Sequence, residues 1–131
     1  MTCEIKNDTK LLLRNNPIEE LTGIMRSKKV LFVYGERSVY KNGCYNDIKQ
    51  SAENGNCHLF EFGNASYEFS VIEKGIQYAK EKSIEMVIGA GGASVMDASK
   101  LISFGYYHDD VWDYVKQKKD PTGLQHLPIV L

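Results

Sequence analysis

The stretch Gly89-Ala90-Gly91-Gly92-Ala93-Ser94-Val95-Met96-Asp97-Ala98-Ser99-Lys100 decides how this chain is read. It follows the short apolar run Met86-Val87-Ile88 and opens a segment, Ser94 to about Phe104, in which Val95, Ala98 and Ile102 recur at helical spacing. Glycines between a strand and a helix let the backbone turn sharply and admit a ligand where a Cβ would otherwise stand. The first N–H groups of the helix have no acceptor within it, and the helix dipole makes that end electropositive. A pyrophosphate satisfies both conditions. Ser94 and Asp97 have the S-x-x-D spacing of a capping box. Lys100 either carries positive charge toward the loop or points to solvent. The loop is neither G-x-G-x-x-G nor a P-loop. By itself it fits two readings: an anion cradle, or a tight capped turn with no ligand.

Upstream, Val30-Leu31-Phe32-Val33-Tyr34 is apolar on both alternating faces, as expected of a parallel strand covered by helices on each side. Before it, Thr9 to Arg14 reads as a first strand and Asn15-Asn16-Pro17 as a turn. Pro17 then opens a short helix, Ile18 to Leu21, where its missing N–H costs nothing. After it, Gly43 to Asn54 reads as a helix with Tyr45, Ile48 and Ala52 on one face and Gly55 as its stop. Cys57 to Phe62 is the next strand, Gly63-Asn64 a turn. Ser66 is placed to cap a helix reaching about Lys82, with Phe69, Ile72, Ile76 and Ala79 at steps of three and four. A short helix from Val111 to Lys116 follows, and Leu127 to Leu131 begins as a strand. This alternation is the rhythm of βαβ crossovers. It predicts one α/β domain over residues 1–131 with a doubly wound, mainly parallel sheet. Such sheets bind ligands at the carboxyl ends of their strands, beside a switch point. A second loop, Tyr34-Gly35-Glu36-Arg37-Ser38, therefore matters. Ser38 suits a ribose or phosphate, and Arg37 a 2′-phosphate. Glu36 either accepts from ribose hydroxyls or repels that phosphate. The alternative is a polar surface turn.

Composition narrows the classes. A hydrophobic content of 43% in 131 residues supports one packed core and excludes a disordered chain. A formal net charge of −1 leaves no basic excess to neutralise a nucleic-acid backbone. No apolar run is long enough to cross a bilayer. The start, Met1 to Lys6, lacks the charged-then-apolar order of a secretory signal. Cys3, Cys44 and Cys57 form neither a disulfide framework nor a zinc pattern, so a reducing cytoplasm and buried or half-buried thiols are expected.

The ordered motifs extend further. They are Thr9-Lys10-Leu11-Leu12-Leu13, Pro17-Ile18-Glu19-Glu20-Leu21, Val30 to Gly35 with Ser38, Lys41-Asn42-Gly43, Glu61-Phe62-Gly63, Gly91 to Lys100, Trp112-Asp113 and Leu127-Pro128-Ile129. From Thr9 to Leu131 this order resembles the N-terminal half of iron-containing (group III) alcohol dehydrogenases, with the butanol dehydrogenase and aldehyde reductase branch nearest. The Gly-Gly-x-Ser-Val-x-Asp-x-x-Lys run is its most specific part. The resemblance implies a Rossmann-like lobe that holds NAD or NADP in a two-lobe enzyme. In the family, a second, helical lobe binds a divalent metal, iron or zinc, through one Asp and three His. Hydride passes between the nicotinamide and a small alcohol or aldehyde polarised by that metal. By resemblance, Gly91, Gly92 and Ser94 contact the pyrophosphate, Asp97 and Lys100 stand at motif positions nearby, and Gly35 and Ser38 lie beside the adenosine ribose. A homodimer through the N-terminal strand is also implied.

The chain departs from the family pattern at Ala93, where a third glycine is usual, and at Glu36-Arg37, where glycines are frequent. Asn64-Ala65 stands in a shortened loop. The segment completing the cofactor site and all the metal ligands would follow Leu131. His58, His108 and His126 match none of those ligands; His58 is expected at a packed or edge position, and the other two solvated. The cofactor lobe alone is then expected to bind dinucleotide without reducing aldehydes. Trp112 is expected to anchor packing, as are Tyr106 and Tyr107. Two other readings stay open: a non-catalytic dinucleotide- or phosphate-binding module, and the corresponding lobe of a glycerol dehydrogenase-like or dehydroquinate-synthase-like enzyme. Trp112-Asp113 favours the alcohol dehydrogenase branch.

Overall fold

A computed structural model describes residues 9–131, so Cys3 and the reading of Met1 to Lys6 lie outside the described residues. Among these, four strands form one sheet: β1 (Lys29–Tyr34), β2 (His58–Phe62), β3 (Met86–Ala90) and β4 (Ile129–Val130). The order is β2-β1-β3-β4 and every pairing is parallel. Helix α1 (Ile18–Met25) precedes β1. Helices α2 (Ser38–Lys41) and α3 (Cys44–Asn54) carry the chain from β1 to β2, and α4 (Phe69–Glu81) carries it back across to β3. Helices α5 (Ala93–Gly105) and α6 (Val111–Gln117) lead to β4. The direction of winding therefore reverses between β1 and β3, and a crevice belongs at their carboxyl ends.

The central strand explains the fold. Leu31 and Val33 enter one layer with Ile72, Ala79 and Ile102. Val30 and Phe32 enter the other with Met25, Ile48 and Ala52. All four strand residues are 0% exposed, so β1 is covered on both faces. That is the arrangement its unbroken apolar run calls for.

Several boundaries differ from the sequence reading. Residues 9–14 form no strand: Leu11 and Leu13 are 78% and 84% exposed, with no neighbouring strand to pair with among the described residues. Arg14 instead pairs with Glu20 of α1 at 3.2 Å. Helix α1 runs past Leu21 to Met25 because Thr22 and Met25 continue its buried stripe. Ser66 does not cap α4. The helix starts at Phe69 behind the extended Glu68, and Ser66 Oγ accepts from the Glu68 amide at 3.4 Å in a small turn outside it. Gly55 does cap α3, but the left-handed residue there is Asn56, with φ 49°. The one-turn helix α2 was not anticipated; its buried Val39 pins it to the body of the domain.

Candidate functional site

Strand β3 ends at Ala90, and the next two residues shape the loop. Gly91 has φ 158°, and a Cβ on it would stand 2.8 Å from Val95 Cγ2. Gly92 is the opposite case: a Cβ there would meet nothing within 4 Å and would project into open space. Gly92 is also the N-cap of α5, and its carbonyl accepts the first helical bonds, from the Val95 amide at 3.1 Å and the Met96 amide at 3.0 Å. The amides of Ala93 and Ser94 come before those bonds and have no acceptor inside the helix. Ser99, wholly buried, donates to Val95 O at 2.8 Å, and a Cβ on Gly89 would collide with its Oγ. That close approach seats α5 against β3 and fixes where its N-terminus points.

Across the switch point, Gly35 lies over the same residue: its Cβ would touch Val95 Cγ2 at 3.5 Å. Val95, 4% exposed, thus supports both loops. A cavity of about 540 Å³ opens beside them. Ser38, Val39 and Asn42 line one part of it and Gly91 and Gly92 another; Leu21, Ile48 and Val130 supply apolar wall. The cavity thus combines polar groups, from Ser38, Asn42 and the Gly91-Gly92 backbone, with an apolar lining, the usual makeup of a small-ligand site.

The structure brings Ser38, Gly91 and Gly92 to this crevice. Gly35 lies against Val95 and Ser94 is half-buried in the first turn of α5, and neither lines the cavity itself. The capping box does not form, because Gly92 and not Ser94 is the N-cap and no side chain caps the helix. Asp97 and Lys100 sit on the exposed face of α5 and pair with each other at 3.4 Å. Lys100 lines a different cavity, of about 620 Å³, with Leu101, Phe104 and Val115. Ala93 is exposed and is not among the residues lining the crevice.

Sequence reasoning missed a polar cluster behind the Gly35 loop. Tyr45 donates to Glu61 Oε1 at 2.7 Å and Tyr34 to the same oxygen at 3.0 Å. Lys49 Nζ donates to Glu61 Oε2 at 3.2 Å. Tyr40 donates to the Tyr34 hydroxyl at 3.4 Å. Partial burial works to raise the Glu61 pKa, but the hydrogen bonds from Tyr45, Lys49 and Tyr34 outweigh it, so the carboxyl lies below its ordinary value. The hydrogen bond to Glu61 pushes Tyr45 up to about 12. Burial, then the bonds to Tyr40 and Glu61, raise Tyr34 as well. Only Glu61-Phe62-Gly63 hinted at this cluster, and Gly63 has a steric reason to be there: a Cβ would stand 2.9 Å from the Tyr34 ring.

Other residues have packing roles. Trp112 stacks on Phe69 with centroids 4.2 Å apart. The Tyr106 and Tyr107 rings meet edge to face at 5.0 Å. His58 is exposed at the start of β2. His108 is tied down rather than merely solvated: it stacks on Phe104, and its Nε2 lies 2.7 Å from Gln125 O. His126 Nδ1 lies 2.7 Å from Leu127 O. Cys44 and Cys57 are free, half-buried thiols, and burial raises both pKa values. Among the described residues no group of three His, Cys, Asp or Glu is placed to hold a metal, and no helix is long and apolar enough to cross a membrane.

A doubly wound parallel domain with a glycine loop at its switch point is the architecture of nucleotide-binding lobes. Residues 8–131 match the family of iron-containing alcohol dehydrogenases, and the chain belongs to that family. It is 31% identical over 120 residues to a probable NADH-dependent butanol dehydrogenase of Bacillus subtilis, covering 88% of this chain and 31% of the relative. It is 34% identical over 104 residues to NADH-dependent butanol dehydrogenase A of Clostridium acetobutylicum, covering 77% of this chain and 26% of the relative. The crystal structure of NADH-dependent butanol dehydrogenase A from Thermotoga maritima superposes with a TM-score of 0.84 at 28% identity, over 98% of this chain and 33% of that one. The chain thus spans about a third of the length of these relatives or less.

Proposed function

We propose that this chain is the dinucleotide-binding lobe of an alcohol dehydrogenase, holding NAD(H) or NADP(H) across the switch point between β1 and β3. One observation carries the reading. At Gly92 the space a Cβ would occupy is open, and the amides of Ala93 and Ser94 beside it have no helical acceptor. A diphosphate there receives backbone hydrogen bonds and the favourable end of a 13-residue helix. Gly91 lets the strand turn into that position, and Val95 holds it. We assign Ser38, on the other wall, and Gly35, against Val95, to the adenosine ribose. Asp97 and Lys100 stay with each other on the helix surface, outside the contact set.

When bound, the nicotinamide supplies the hydride chemistry, with a small alcohol or aldehyde as the partner substrate in the complete enzyme. Cofactor binding is the part of that chemistry we assign to this chain's own residues. The exposed Leu11 and Leu13 are free to pair with the same segment of a second copy, which is our reading of how a dimer forms.

Titration of NADH and NADPH, followed by nicotinamide fluorescence, tests the reading. Saturable binding that inorganic pyrophosphate displaces is expected. Saturable binding that pyrophosphate leaves unchanged, or none at all, contradicts it.

A further inference from the structure

The β1–α2 loop has few fixed points of its own. Glu36, Arg37 and Ser38 are exposed, and α2 is a single turn, held to the body of the domain by Val39. Behind it stands the cluster centred on Glu61, which comes from a strand the loop does not touch in sequence. A continuous path of hydroxyls runs from Tyr40 on α2 to Tyr34 at the end of β1 and on to Glu61 of β2. Tyr45 of α3 closes it from the other side, with Lys49 on the second carboxylate oxygen. The rings reinforce the path: Tyr40 lies 4.7 Å from Tyr45 and meets Tyr34 edge to face at 5.9 Å. Tyr34 O also accepts from the Ala65 amide at 2.9 Å, which ties the loop after β2 to the same place.

We propose that Glu61 is a positioning residue for the crevice. Acting through Tyr34 and Tyr40, its carboxylate fixes α2 and sets Ser38 and Asn42 on the wall facing Gly91 and Gly92. A half-buried carboxylate that accepts two hydroxyls and a lysine makes charge-assisted bonds, which are stronger than neutral ones. Such a network removes the freedom that an exposed single turn would otherwise lose on binding. Glu61 does not itself line the cavity. It acts on the half of the ligand that meets α2, and the diphosphate cradle at α5 is independent of it. This inference rests on the dinucleotide reading for its ligand, but not for its effect on α2.

Amide hydrogen exchange and ligand titration on the 131-residue chain, for wild type, Glu61→Ala, Glu61→Gln and Tyr40→Phe, test it. Glu61→Ala should speed exchange at Val39 to Asn42 and weaken NADH binding about tenfold, the size of the ordering cost that a loosened turn brings back on binding. Its affinity for inorganic pyrophosphate should stay within about twofold of wild type, because that ligand uses only the α5 end. Glu61→Gln keeps an acceptor for both tyrosines and should restore most of the NADH affinity. Tyr40→Phe cuts only the last link and should shift exchange at α2 without affecting stability elsewhere. Unchanged α2 exchange in Glu61→Ala overturns the inference, as does an equal loss of NADH and pyrophosphate. Absence of NADH binding by the wild type overturns the dinucleotide reading instead, and the exchange data still decide whether Glu61 holds α2.

Discussion

The two loops at the switch point are built on different principles. The one after β3 is backbone. Gly91 makes the turn, Gly92 leaves space, and the donors are main-chain amides at the head of a 13-residue helix. The one after β1 is side chain. Its helix is one turn long, and its position depends on tyrosines and a glutamate from three other elements. A backbone site is specified locally, by glycines in consecutive positions. A side-chain site is specified only once the sheet order has put β2 beside β1. The first kind responds to changes of backbone conformation, the second to loss of any member of its network.

The largest effect should come from Gly91→Val. Its φ of 158° and the 2.8 Å approach of Val95 leave no room for a branched side chain, so the loop itself must move. We expect NADH binding to be lost and stability to fall by about 1–3 kcal/mol, the range for a strained backbone position, measured by urea denaturation. Gly92→Val should separate binding from stability. The new side chain meets open space, so stability should change by no more than about 1 kcal/mol, while the side chain occupies the ligand's place and lowers NADH affinity at least about tenfold. Comparable losses of stability in the two variants would erase the distinction drawn between these glycines.

The side-chain loop should show itself through acid. Glu61 has a native pKa below its ordinary value of 4.5, so its contribution to stability is present above that value and is lost as the pH falls through the native one. Glu61→Gln should therefore be less stable than wild type near neutrality, and the gap should close on acidification. A gap that is constant with pH would mean the carboxylate's charge contributes nothing. The smallest effect is expected at Asp97 and Lys100. They are exposed and paired only with each other, so Asp97→Ala or Lys100→Ala should change stability by less than about 0.5 kcal/mol and leave NADH affinity within about twofold. A larger loss of NADH affinity in Lys100→Ala would return that lysine to the cofactor site.

What the sequence disclosed follows the same division. The run from Val30 to Tyr34 announces a strand buried on both faces, and the structure has it at the centre of the sheet. The strand-to-helix turn at Gly91 and Gly92 was legible because strand, glycines and helix are contiguous. Ser94 and Asp97 misled because a spacing rule says nothing about which residue ends up as the N-cap, and the turn at Gly91 settles that on Gly92. Thr9 to Arg14 misled for another reason: a β-like pattern becomes a strand only with a partner, and none of the described strands lies beside it. Tyr34, Tyr40, Tyr45 and Glu61 were invisible as a group, since nothing in their spacing says that β2 will pair with β1 in the register that sets Val33 opposite Phe62.

The central claim is that a dinucleotide's diphosphate sits on the amides at the head of α5. Titrating 15N-labelled protein with NADH reads that position directly. The account predicts that the amides of Gly91 to Ser94 shift most and saturate together, with Gly35 to Ser38 following along the same curve. Shifts centred instead on Lys100 to Leu124, around the second cavity, or no shifts at saturating NADH, would contradict it.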